Sequence, residues 1–468
     1  VEVRQTHISV VFLAGPFVYK IKKPLDLGFL DFTTLERRQH FCAEEVRLNR
    51  RLAPDVYLDV VRVTQAEDRL VVAGEGEAVE FAVKMRRLPD DATLHARLAR
   101  GALSVQTVEE LGRRIAAFHH RAASGPEIAR WGRWDVVAEN ARENLEQSRG
   151  HIGTSVSAAV HARLVRLLEH RLLEVRPLVE DRAARGAPRD THGDLHLDHV
   201  YLFSDRTPPA DLVAIDCIEF NERFRYADPV ADMAFVVMDL VRHGRRDLAE
   251  AFADAYFEAA EDPDAKSLLP FYVAYRAAVR GKVRGMAAGG EELLAEERAA
   301  AVAEARAHWL LCLSELEEPE RRPCLVMMGG LPGTGKSTVA AELAARAGLE
   351  VVSSDRVRKE LAGKMPGEEA SAEFGEGIYT KEWNDRTYAA CLERAREILF
   401  EGGRVLVDAS FREESRRGRF LDTADAAGVR SLFLRCSAEP ETVRERLVSR
   451  HGHGSDADWV VYRRAVEA

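Results

Sequence analysis

Two groups of residues in this chain have types and spacings suited to phosphate chemistry. In VMMGGLPGTGKST, residues 326–338, Gly330, Gly335, Lys336 and Ser337 fill the template G-x-x-x-x-G-K-[ST]. Such a loop wraps a phosphate in backbone N–H groups, here from the stretch that includes Gly333, Thr334 and Thr338, while Lys336 reaches β and γ oxygens and Ser337 binds Mg²⁺. The second group is DTHGDLHLDHVYLF, residues 190–203, followed by AIDCIEF, residues 214–220. Asp194 lies in its polar loop, and the apolar run Leu212 to Ile215 leads directly to Asp216. Two carboxylates on neighbouring loops suit activation of a hydroxyl by one and Mg²⁺ binding by the other. Histidines and aspartates also build turns and caps, so loop composition alone leaves that second assignment open.

Each group needs elements to hold it. Cys324 to Met328 is a short apolar run suited to a buried parallel strand, and Ser337 to Ala347 is an alanine-rich helix stopped by Gly348. The orphan N–H groups and positive dipole at that helix start favour an anion. Strands recur at Glu350 to Ser353, Arg404 to Asp408 and Ser431 to Cys436, separated by helical stretches such as Lys381 to Glu401. That alternation implies a parallel sheet. It presents Asp355 after the second strand and Asp408 at the end of the third, two carboxylates at successive strand ends beside a phosphate loop. Arg446 and Arg450 fall four apart on the helix after Pro440, on one face and suited to covering phosphates, unless that face is simply solvated. Arg358 and Arg412 are candidates for substrate contact. His451 and His453 have no further ligand spacing and read as loop.

Upstream, residues 1–24 alternate apolar and polar on both sides of Gly15-Pro16, which predicts an antiparallel strand pair around a turn. Leu35 to Leu52 reads as a helix capped by Thr34, and Val56 to Val63, Arg69 to Val72 and Phe81 to Met85 read as strands. From Leu94 onward helical patterns dominate: Val105 to Ala122, Val136 to Glu146, Val156 to Arg185, Asp232 to His243, Asp247 to Glu261, Leu268 to Gly285 and Glu291 to Leu316. The stretch ELEEPERRP, residues 315–323, with two prolines and clustered charge, is the best linker.

With 468 residues, about two to four domains are expected. A net charge of −10 argues against coating nucleic acid or an anionic membrane, although a local basic groove stays open. The six cysteines form no C-x-x-C pair, which favours reduced thiols in a cytoplasm over a disulfide or zinc framework. No apolar run approaches the ~18 residues of a membrane span. A start at Val1 without a signal-peptide pattern suggests a processed or trimmed chain rather than a secreted one.

H-G-D-L-H followed about twenty residues later by I-D resembles the aminoglycoside phosphotransferase-like family, whose fold is a two-lobed protein-kinase-like one. The resemblance covers residues 1 to about 310. It implies Asp194 as catalytic base and Asp216 as a metal ligand, with His192 and His196 shaping the loop. It implies Lys20, or Lys22 on the same face, as the phosphate-binding lysine paired with Glu45, and places adenine near residues 81–88. Two departures stand out. His199 occupies the position of a metal-binding asparagine, and imidazole prefers softer metals than Mg²⁺. The loop over the phosphates has only Gly15. Asp228 and Asp232 read as helix caps.

GLPGTGKS, SSDRVRKEL and VDASFRE together resemble the small P-loop kinases related to gluconate kinase, polynucleotide 5′-kinase and zeta-type toxins. That resemblance implies Asp355 as the activating base and Asp408 as an aid to Mg²⁺. The expected architecture is a kinase-like domain over residues 1–314, a linker at 315–322 and a P-loop domain with a parallel sheet over 323–468. The expected activity is ATP- and Mg²⁺-dependent transfer of phosphate to a hydroxyl of a small molecule such as a sugar or aminoglycoside. Two rivals remain: one half serves only as a nucleotide sensor, or the P-loop half phosphorylates nucleic-acid 5′ ends.

Overall fold

The computed structural model describes residues 1–67, 69–290, 293–364, 377–449 and 459–467. The chain divides into two compact units, one of Val1–Asn140, Glu174–Val241 and Arg245–Val273, the other of Ala141–Leu173, Arg242–Gly244 and Ala274–Ala468.

The first unit begins with strands β1 (Glu2–Gln5), β2 (Ser9–Ala14) and β3 (Phe17–Lys22). Ala14 pairs with Phe17 across Gly15-Pro16, and Gly15 takes φ +58°, so the expected turn forms with glycine where a side chain would be strained. The segment contains three strands where alternation suggested two. β1 is exposed at every position, so it has no buried face for alternation to report, and its charged residues suit an edge. β4 (Tyr57–Ala66), β5 (Arg69–Val72) and β6 (Ala78–Arg86) complete an antiparallel sheet in the order β1-β2-β3-β6-β4-β5. The helix Leu35–Asn49, capped by Thr34 through the Arg37 N–H, lays Cys42 and Val46 against Phe81, Val83, Val56 and Tyr57. Short strand pairs then frame the polar loop: β7 (Arg189–Asp190), β8 (Val200–Leu202), β9 (Leu212–Ala214) and β10 (Tyr226–Ala227), with β8 against β9 and β7 against β10. Helices Val105–Arg121, Pro229–Arg242 and Arg246–Ala260 lie where the 3.6-residue pattern placed them, within three residues at each end.

In the second unit β11 (Cys324–Gly329), β12 (Glu350–Ser353), β13 (Arg404–Asp408) and β14 (Arg430–Arg435) form a parallel sheet in the order β12-β13-β11-β14. Val326, Met328 and Leu406 pack against Ala340 and Ala344 of the helix Lys336–Ala347. The charged stretch 315–322 lies in this unit. There Glu317 is buried and pairs with Arg163 at 2.5 Å, and Arg163 also donates to the Gly402 carbonyl at 3.0 Å. Among the described residues no helix is long and apolar enough to cross a membrane.

Candidate functional site

In the first unit, pleating puts Val18, Lys20 and Lys22 on one face of β3, and the helix Leu35–Asn49 brings Glu45 beneath them. Lys20 Nζ reaches Asp216 Oδ1 at 2.7 Å and Glu45 Oε1 at 2.9 Å. Lys22 Nζ takes the other Glu45 oxygen at 2.7 Å and bonds Glu219. The two lysines are therefore linked members of one network rather than alternatives. Burial opposes charge on Lys20, but Asp216 and Glu45 outweigh it and hold the ammonium well above its usual range. Burial likewise opposes ionisation of Asp216, and Lys20 and His199 overcome it and hold its carboxyl well below the usual range. Asp216 has φ +64°, a strained backbone fixed by two bonds: its own N–H donates to the Tyr57 hydroxyl at 3.1 Å, and the Cys217 N–H donates to Asn49 Oδ1 at 2.8 Å.

The loop carrying Asp194 hangs on one buried carboxylate. Asp232 accepts the N–H of His192 at 3.0 Å and of Gly193 at 2.8 Å, and meets His119 Nε2 at 3.1 Å. Its carboxyl is held down at about 2, since burial is outweighed by His119 and the loop donors. Asp228 does cap its helix, accepting the Val230 N–H at 2.9 Å, whereas Asp232 anchors the loop, a longer-range task than capping. His192 Nε2 meets the Ile215 carbonyl at 2.9 Å, tying the Asp194 loop to the Asp216 strand end. His199 Nδ1 donates to the Asp194 carbonyl at 2.9 Å, and its Nε2 lies 3.6 Å from Asp216 Oδ2. A nitrogen ligand at this position suits Mg²⁺ poorly, because that ion selects oxygen.

In the second unit the phosphate loop runs from β11 into the helix Lys336–Ala347. Gly330 takes φ +149°, and a Cβ there would lie 2.6 Å from the Cys436 carbonyl, so no side chain fits. Gly335 takes φ +91° as the helix N-cap, freeing backbone N–H groups toward the loop. Thr334 is buried, with its hydroxyl donating to the Leu331 carbonyl at 2.8 Å, while Ser337 and Thr338 are exposed. Asp408 closes β13 with 5% of its surface exposed, and its Oδ1 is buried with no hydrogen-bond partner among the described residues. Burial raises its carboxyl, Ser337 and Lys336 pull it down, and Asp355 pushes it up. Ser337, Lys336 and Asp355 thus all act on Asp408, and the orphaned oxygen fits a cation shared with Ser337.

Asp355 opens the helix Ser354–Leu361, with Lys359 Nζ at 3.3 Å. Arg358 is buried on the same helix, donates to the Ile378 carbonyl at 2.9 Å and lies over the Tyr379 ring. Arg412 is exposed on the loop after Asp408. Arg446, on the helix Pro440–Val448, donates to the Thr334 carbonyl at 3.4 Å and so lies against the phosphate loop. Arg450, His451 and His453 lie outside the described residues. Sequence reasoning missed Glu219, Tyr57 and Asn49 as supports of Asp216. The spacing I-D-x-x-E was the available signal for Glu219, while nothing local marks Tyr57 or Asn49.

The pattern of an AAA domain matches residues 325–467. Uncharacterized proteins of Mycobacterium tuberculosis and Mycobacterium bovis are 33% identical over 459 residues, covering 98% of this chain and 88% of theirs. A shikimate kinase of Paramagnetospirillum magneticum is 34% identical over 125 residues, 27% of this chain and 57% of that enzyme. Among solved structures, the GDP complex of aminoglycoside 2′-phosphotransferase-IIIa matches 66% of this chain and 92% of its own at 13% identity, with a TM-score of 0.42.

Proposed function

We propose, from the premise that this chain belongs to one family with the mycobacterial proteins that share nearly its whole length, that it is an ATP-dependent phosphotransferase with two nucleotide sites. Residues 1–314 and 323–468 each direct phosphate to a hydroxyl of a small molecule such as a sugar or aminoglycoside. The observation that carries this reading is Asp408 at the end of β13, a buried carboxylate with one oxygen lacking a hydrogen-bond partner among the described residues, on which Ser337 and Lys336 of the glycine loop and Asp355 all act. Kinase chemistry needs those parts together: a backbone cradle, a cation for the β and γ oxygens, a metal-side carboxylate and a base.

In the P-loop half, N–H groups of residues 330–338 hold the phosphates and Lys336 neutralises the γ oxygens. Arg446, which bonds the loop carbonyl of Thr334, covers the same charge. Ser337 and Asp408 would hold Mg²⁺, which supplies charge neutralisation on the transferred phosphoryl group. Asp355 takes the acceptor proton, and Arg358 orients the acceptor from its buried position. In the first half Lys20, fixed by Glu45, binds phosphate oxygens. Asp194 takes the acceptor proton, on a loop held by Asp232. His199 favours a second reading for this half, nucleotide sensing without turnover.

The test is an ATP-consumption and product screen over sugars, aminoglycosides, nucleosides and oligonucleotides, with Asp194→Ala and Lys336→Ala alongside wild type. Each variant is expected to abolish one activity. If both leave every activity intact, the proposal fails; if only Lys336→Ala matters, the sensor reading holds for the first half.

A further inference from the structure

We propose that Asp194, His196 and His199, with Asp216 beside His199, form a site for a divalent transition ion of the Zn²⁺ or Co²⁺ kind, in place of a Mg²⁺ site. The site stands on the geometry of these side chains, independently of whether this half transfers phosphate.

The first support is spacing. His196 Nε2 lies 3.5 Å from Asp194 Oδ2, and His199 Nε2 lies 3.6 Å from Asp216 Oδ2. One ligand atom each from Asp194, His196 and His199 falls within 4.8 Å of the others. A direct N–H···O bond spans about 2.7–3.2 Å. Two ligands of one tetrahedral ion, each bonded at about 2.0–2.1 Å, lie roughly 3.3 Å apart. The observed separations are long for hydrogen bonds and match ligands around an ion after a small inward movement.

The second support is the tautomer of His199. Its Nδ1 lies 2.9 Å from the backbone carbonyl of Asp194, and a carbonyl only accepts, so Nδ1 carries the hydrogen. In the neutral ring Nε2 then presents a lone pair, and what it faces is the Asp216 carboxylate, which also has only lone pairs to offer. A cation between them turns that repulsion into two bonds. Donation of the remote ring N–H to a carbonyl is the arrangement that orients metal-binding histidines. Lys20 occupies Oδ1 of Asp216 and leaves Oδ2 for the ion.

The rings of His196 and His199 lie 3.8 Å apart, centroid to centroid, tilted by 34°. His196 is buried, whereas Asp194 and Asp216 keep 31% and 43% of their side chains open to solvent, which gives an entry path. Two imidazoles and two carboxylates suit Zn²⁺ and Co²⁺ and do not suit Mg²⁺.

The experiment uses the full chain, stripped with a chelator and free of nucleotide. Titrated Co²⁺ is expected to give visible ligand-field absorption that saturates, that Zn²⁺ erases and that excess Mg²⁺ leaves in place. His199→Asn, which can keep a donor to the Asp194 carbonyl, and His196→Ala should each weaken Co²⁺ binding by at least about tenfold. Far-UV circular dichroism and the melting temperature identify any variant that fails to fold. The proposal is overturned if folded wild type takes up no Co²⁺, if Mg²⁺ displaces Co²⁺ as readily as Zn²⁺ does, or if the absorption is unchanged in both folded variants.

Discussion

Replacing Asp408 by Asn should make the metal-free protein more stable and its nucleotide complex less so. The carboxylate closes β13 almost fully buried, and one of its oxygens has no hydrogen-bond partner among the described residues. Burial raises its carboxyl above the ordinary value, and Asp355 adds to that, despite Ser337 and Lys336. A carboxyl raised on folding favours the folded state while protonated. That contribution is full below the unfolded value near 3.8 and is lost as pH rises through the higher folded value. At neutral pH the ionised group therefore costs stability, and a neutral amide of the same shape relieves about 1 kcal/mol of it. For a unit of this size that corresponds to roughly 2–4 °C in melting temperature. With Mg²⁺ and nucleotide at about a hundred times Kd, wild type gains about 2.7 kcal/mol, most of which the variant forgoes, so the order reverses. Differential scanning calorimetry with and without Mg²⁺ and ATP-γ-S, reading the transition that ligand shifts, measures both arms. A lower metal-free melting temperature for Asp408→Asn, or an equal response to ligand, refutes the assignment of Asp408 as a carboxylate held ready for a cation.

Two further outcomes follow from single close contacts. Gly330→Ala drives a Cβ to 2.6 Å from the Cys436 carbonyl at φ +149°, and should cost about 1–3 kcal/mol of stability and abolish nucleotide binding at the P-loop, read by calorimetric titration. Asp232, with its carboxyl near 2 against an ordinary 3.8, contributes stability that is complete above the unfolded value and lost as pH falls toward 2. Asp232→Asn should flatten that acid limb in equilibrium unfolding and reduce any activity sensitive to Asp194→Ala, and an unchanged limb contradicts the loop-anchor role.

What could be read from the sequence divides along a physical line. The P-loop, Asp355 in the helix start after β12, Asp408 at the end of β13, and β12 and β13 to the residue were legible because each rests on local rules: glycine conformations, helix starts and short buried apolar runs. β1 was not, because a strand exposed on both faces imposes no periodicity on its residues. The same limit governs the kinase-like half. Asp194 and Asp216 were visible as carboxylates in polar loops, but their supports come from far along the chain: Asp232 beneath the loop, Tyr57 and Asn49 behind Asp216. Lys20 and Lys22 looked like competitors for one role because strand alternation shows only that they share a face. The structure separates them by what lies opposite, Asp216 for Lys20 and Glu219 for Lys22, with Glu45 bridging both.

That bridge explains why a second lysine is kept in the sheet. Glu45 alone beneath Lys20 would leave one buried oxygen without a cation, and a half-satisfied buried carboxylate destabilises its site. Lys22 and Glu219 complete the pairing, so that Glu45 stays ionised and Lys20 stays aimed at Asp216. On this argument Glu219, three residues from Asp216 in sequence, acts on the site through its pairing with Lys22 and by its charge on Lys20. Its position is dictated by charge balance, which no local pattern of residues encodes.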